Sequence, residues 1–145
     1  MFGMTKKQFL KRSKKCTGET GALILLIREI MNKEIHGKTS NRETSKQIEI
    51  IRKDIESIFF EFEKLKPPSK CFPLKQRIIH VLINFQEVIV VYSEYLTASR
   101  EEMEEKSQNK LKESQELLEE FRKEFHSVTG EVNSLLNQPF FKKKD

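Results

Sequence analysis

The stretch SNRETSKQIEIIRKDIESIFFEFEKLKPP, residues 40–68, decides the fold. Ser40 and Glu43 have the S-x-x-E spacing of a capping box, in which a serine side chain takes up a free backbone N–H of the first helical turn. Ile48, Ile51, Ile55, Ile58, Phe62 and Leu65 follow in steps of three and four. That spacing lays apolar side chains along one seam of a helix. Pro67 and Pro68 end it, because proline lacks a backbone donor and turns the residue before it out of the α region. The pattern predicts a helix over 41–65 with one face in a core.

The same alternation recurs downstream. Ile78, Leu82, Phe85, Ile89, Tyr92 and Leu96 step by four and three. Ile79, Val81, Ile83, Val88, Val90 and Val91 spread apolar surface around the same helix, expected over 74–98. A helix apolar on most sides is buried on most sides, so this third helix is expected to be central. Val88 to Tyr92 has strand propensity, but 74–97 contains no turn signal and no partner strand. Leu111, Ser114, Leu118, Phe121, Phe125, Val128, Val132 and Leu135 carry the pattern through a Glu/Lys/Leu-rich fourth helix over 100–136. Gly130 is a point where that helix bends or ends. The acids Glu101, Glu102, Glu104 and Glu105 suit a helix N-terminus, where the macrodipole favours negative charge.

Upstream the reading is weaker. Leu23, Leu26, Ile27, Ile30 and Met31 give a wide stripe, and Gly37 is a natural stop. Gly18 and Gly21 place the start of the first helix near Glu19, giving 19–36, with an earlier helical piece over 5–15 as a variant. The expectation is an all-α, antiparallel up-and-down bundle of four long amphipathic helices. In domain terms, 1–18 form a basic arm or short helix, 19–137 the bundle, and 138–145 a basic tail.

The 145 residues are 37% apolar and 34% charged, enough for one domain with a real core and without disulfide staples. The net charge of +5 is unevenly placed. Lys6, Lys7, Lys11, Arg12, Lys14 and Lys15 stand in residues 1–18 with no acid, and Lys142, Lys143 and Lys144 lie at the far end. The body between is slightly acidic. Six consecutive apolar residues, 22–27, are too few for a signal core or a membrane span, so a cytoplasmic protein is expected. Cys16 and Cys71 are read as reduced thiols.

No chemistry stands out. The residues three before His36, His80 and His126 are Lys33, Arg77 and Lys123, so the Glu-x-x-His motif of di-iron bundles is missing each time. No Cys/His zinc spacing, phosphate-cradling glycine loop or nucleophile elbow occurs. Metal, cofactor and catalytic residues are therefore all expected to be none. His36 is read as a helix C-terminal residue interacting with the dipole. Cys16 among lysines is a candidate for a lowered pKa, and a quiet thiol is the simpler reading. The basic residues Lys6, Lys7, Lys11, Arg12, Lys14 and Lys15 form the candidate anion or nucleic-acid contact, with Phe9 and Leu10 as an apolar edge that would suit lipid. A solvated arm, nucleic acid and membrane are the readings in that order. Phe140 and Phe141 either tuck over the end of the bundle, the favoured reading, or form a candidate docking tail.

The pattern Ile58-x-x-x-Phe62-x-x-Leu65-x-Pro67-Pro68, followed by a long apolar helix and a Glu/Lys/Leu-rich helix, resembles small helical proteins of low-GC Gram-positive bacteria and their mobile elements. It covers roughly residues 48–136. The resemblance implies architecture and carries no functional residue. The function expected is therefore non-enzymatic, through protein–protein contact including self-association. The alternative is a nucleic-acid-associated accessory protein using the basic N-terminal segment.

Overall fold

The computed structural model describes residues 3–138. Four helices follow one another: α1 (Lys6–Ile35), α2 (Asn41–Glu63), α3 (Phe72–Arg100) and α4 (Glu104–Leu136), with one 3-10 turn, Ser69–Cys71, leading into α3. They form a ring in which α1 packs on α2, α2 on α3, α3 on α4 and α4 back on α1. The expected all-α antiparallel four-helix bundle is what the chain adopts. Side-chain ties between opposite ends of neighbouring helices show the alternation of direction. Lys14 donates to Asn133 (2.7 Å) between α1 and α4, and Arg100 donates to Asn41 (2.8 Å) between α3 and α2.

The core runs the length of the ring. Phe85 of α3 and Phe121 of α4 stack with ring centres 4.9 Å apart, and Phe9 of α1 meets Phe62 of α2 at 5.8 Å. Helix α3 contributes the most buried residues, from Leu74 to Ala98, and is central in that sense. Its outer face corrects the sequence reading, because Ile83 and Val90 stand in solvent. A helix at one corner of a four-membered ring has neighbours on two sides and the core on a third, which leaves its fourth face open.

The largest difference lies in α1. It starts at Lys6 and not near Glu19, so the basic segment is the first half of a 30-residue helix. Thr5 caps it: its hydroxyl accepts from the Gln8 N–H, and the Gln8 side chain accepts from the Thr5 N–H, a full capping box. Gly18 and Gly21 do not break it, because Phe9, Leu10, Ser13, Cys16, Thr17, Thr20 and Leu23 form one buried stripe across both. Tertiary burial of that stripe outweighs about 1 kcal/mol of lost helix propensity per glycine. Helix α4 likewise passes through Gly130 and starts at Glu104.

Two connections end helices by one device. After α1, Gly37 has φ +70°, with its N–H bonded to the Glu34 carbonyl (3.0 Å) and the Lys38 N–H to that of Lys33 (2.8 Å). After α3, Glu102 has φ +58°, with bonds from Glu102 to Ser99 (3.2 Å) and from Met103 to Ala98 (2.9 Å). Both are Schellman turns, whose left-handed residue is usually glycine. An L-residue there carries a strain of about 1–2 kcal/mol. Gly37→Ala is therefore expected to lower the unfolding free energy by about 1 kcal/mol, and Glu102→Gly to raise it by about 0.5–1 kcal/mol. Urea denaturation of both variants checks the opposite signs.

Helix α2 ends at Glu63, two residues short of the expected Leu65 and ahead of its prolines. Lys75 Nζ closes its C-terminus by donating to the carbonyls of Glu63 (2.8 Å) and Leu65 (2.6 Å), which would otherwise be unpaired.

Candidate functional site

Along α1 five of the six candidate cations fall on the side away from the core, and Lys6 lies on the buried side. At 100° per residue, Lys7, Lys11, Arg12, Lys14 and Lys15 lie within an arc of about 160°. All five are exposed, and Lys6 is half-buried. A rigid helix holds them, with Phe9, Leu10, Ser13 and Cys16 on the opposite arc. Lys14 donates to Asn133, while Arg12 and Lys15 border a shallow cleft between α1 and α2 that also contains Glu19 and Glu61. Lys6 and Lys7 stand in a first turn with no acid. The macrodipole makes that turn positive, so each cation there opposes helix formation by about 0.3–1 kcal/mol.

Phe9 and Leu10 do not form an exposed apolar edge. Both are fully buried, which removes the lipid-facing surface expected from the sequence. Phe140 and Phe141 lie outside the described residues. Cys16 is buried, and that burial pushes its thiol up to about 12, so the neighbouring lysines do not activate it.

The most concentrated polar arrangement joins α1 to α3 across the core. The Glu34 carboxylate accepts from Tyr95 Oη (2.8 and 2.9 Å) and from Tyr92 Oη (3.3 Å). Both rings are buried, with centres 5.3 Å apart. Burial, and then the nearby carboxylate, hold both phenols well above the usual tyrosine range. The sequence pattern places Tyr92 in the core seam and gives Glu34 no role. The partners lie 58 and 61 residues apart, so no local spacing signals the contact.

Other polar groups serve the helices themselves. Thr20 donates to the Cys16 carbonyl, Thr44 to that of Ser40 and Ser114 to that of Leu111. His36 Nδ1 lies 2.8 Å from the Asn32 carbonyl, at the helix end where the sequence reading put it. Arg77 pairs with Glu131 and also donates to Ser127, and Lys110 pairs with Glu94 at 3.0 Å, so α3 and α4 are tied at two levels. Among the described residues no three His, Cys, Asp or Glu side chains gather as a metal-binding group, and no helix is long and apolar enough to cross a membrane.

No protein-family model, curated protein or solved structure matches the chain.

Proposed function

We propose that this chain is a non-enzymatic, cytoplasmic binding protein that acts through protein–protein contacts made by the outer faces of its helices. The observation that carries the reading is the amount of large apolar side chain left in water on separate helices. Leu25 of α1 is 68% exposed, Phe60 of α2 53% and Val90 of α3 52%. On α3 the exposed Ile83 and Val90 stand seven residues apart on one helix face, and apolar surface gathered on one face marks contact sites more often than single exposed residues do. Five polar side chains of the interior support the same reading by being committed to the fold: Thr20, Thr44 and Ser114 bond backbone carbonyls, and Tyr92 and Tyr95 bond Glu34.

Capture of the full chain from cells of its own host, at low and high salt and with nuclease, tests the proposal. A protein retained at high salt after nuclease treatment is the expected result. Retention of nothing but nucleic acid would overturn it.

The cationic arc of α1 favours a second reading, contact with the phosphates of a nucleic acid. The cations remain in the first turn against the helix dipole, which a purely structural helix has no reason to favour. On this reading Lys11→Glu/Lys15→Glu lowers nucleic-acid affinity at least ~10-fold and flattens its dependence on salt. The melting temperature stays within about 2 °C, because both side chains are exposed. Filter binding across a salt series reads the affinity. Unchanged affinity in the double variant removes this reading.

A further inference from the structure

The open face of α3 carries a second seam, distinct from the one in the core. Phe72, Gln76, Ile79, Ile83, Gln86 and Val90 follow in steps of four and three, the spacing of d and a positions in a coiled coil. Phe72, Ile83 and Val90 are 51%, 47% and 52% exposed, Gln76 is exposed, and Ile79 and Gln86 are half-buried. No charged residue interrupts the row. Three nearby charges of α3 are engaged within the bundle: Glu94 by Lys110, Arg77 by Glu131, and Lys75 by the carbonyls that end α2.

The order of the row is palindromic about residue 81. Turned antiparallel against itself at that level, Ile79 meets Ile83, Gln76 meets Gln86 and Phe72 meets Val90. These are the a-against-d layers of an antiparallel pair, apolar on apolar and amide on amide. A two-fold interface requires such self-complementarity, since the same patch serves both sides. Moving one heptad along loses it, because Phe72 then faces Thr97 and Ile83 faces Gln86. Glu87, the exposed acid beside the row, sits about 18 Å from its own mate along the axis, so like charges do not meet.

The geometry points to a second copy of this chain as the occupant of that face, in an antiparallel, two-fold α3–α3 contact centred on Ile79 and Ile83. The inference rests on the reading of the outer faces as contact surfaces and names the partner. The row from Phe72 to Val90 covers about 27 Å of helix. One helix-on-helix contact of that length falls below the roughly 800 Å² per partner of a standard interface. The dimer is therefore weak, and its population depends on concentration.

Sedimentation equilibrium of the full chain from about 1 µM to 1 mM tests it. A monomer–dimer equilibrium is expected. Ile83→Glu should weaken it at least about 30-fold, as for a central interface residue, with an unchanged melting temperature. Register is tested by oxidation. Gln76→Cys/Gln86→Cys should cross-link into a dimer with two disulfides, while either single variant and the wild type, whose Cys16 and Cys71 are buried, should not. A chain monomeric at 1 mM, a dimer indifferent to Ile83→Glu, or cross-linking by Gln76→Cys alone would each overturn the assignment. A monomer that still retains a different protein in host-cell capture overturns the second-copy assignment and leaves the broader reading standing. A monomer that retains no protein overturns both.

Discussion

Phe9→Ala is expected to lower the unfolding free energy by about 3–5 kcal/mol, the range for truncating a buried aromatic. Phe9 is fully buried, and its ring meets Phe62 across the α1–α2 interface. Leu10 beside it is equally buried, so the first two turns of α1 seal that end of the core. Were residues 1–18 a solvated arm, the substitution would shift stability by less than about 0.5 kcal/mol. Urea denaturation followed by circular dichroism separates the two. The result also governs how binding is tested: deleting residues 1–18 would remove Phe9, Leu10, Ser13, Cys16 and Thr17 from the core, so lost binding would report lost fold. Charge reversal at Lys11 and Lys15 changes the face and leaves the core intact.

The second large effect is expected at Glu34. Glu34→Ala leaves two part-buried phenol hydroxyls without their carboxylate acceptor, at a cost of about 1–3 kcal/mol. Replacing all three polar groups, as in Glu34→Leu/Tyr92→Phe/Tyr95→Phe, should recover most of that loss, because no donor is then left unpaired. If Glu34→Ala and the triple variant are equally destabilised, the hydrogen bonds are not the cause. The pH dependence follows from the same geometry. Both phenols have raised pKa values in the folded chain, so it keeps protons that the unfolded chain releases near the ordinary tyrosine value of about 10. The contribution to stability is complete below about pH 10 and is lost as pH rises through the folded values. Tyr92→Phe/Tyr95→Phe should therefore show a flatter alkaline limb than wild type in melting curves taken from pH 8 to 11.

Much of the architecture was legible because each helix keeps its own period. The Ile48–Phe62 seam, the Ser40 cap, the Gly37 stop and the Pro67-Pro68 break are local signals, and each appears in the structure as a helix face or boundary. Ser40 Oγ, for example, accepts from the Glu43 N–H. The start of α1 was also written locally, in the Thr5/Gln8 capping box and in the spacing of Phe9, Ser13, Cys16 and Thr20. It was obscured by lysines and two glycines, whose composition resembles a flexible arm. Two other features had no local signal. Glu34 finds its tyrosines only when α1 and α3 come together across the core. Which apolar residues of α3 face water depends on where α2 and α4 pack, and hydropathy alone makes Ile83 resemble Ile89.

The proposed function places the working surface of this bundle on its outer faces. The most direct test compares host-cell capture by wild type with capture by Leu25→Glu/Ile50→Glu/Phe60→Glu/Val90→Glu, a variant charged on the outer faces of three helices at positions that are all more than half exposed. An unchanged circular dichroism spectrum and loss of the protein partners retained by wild type are expected. Full retention of those partners by the folded variant would contradict the proposed function.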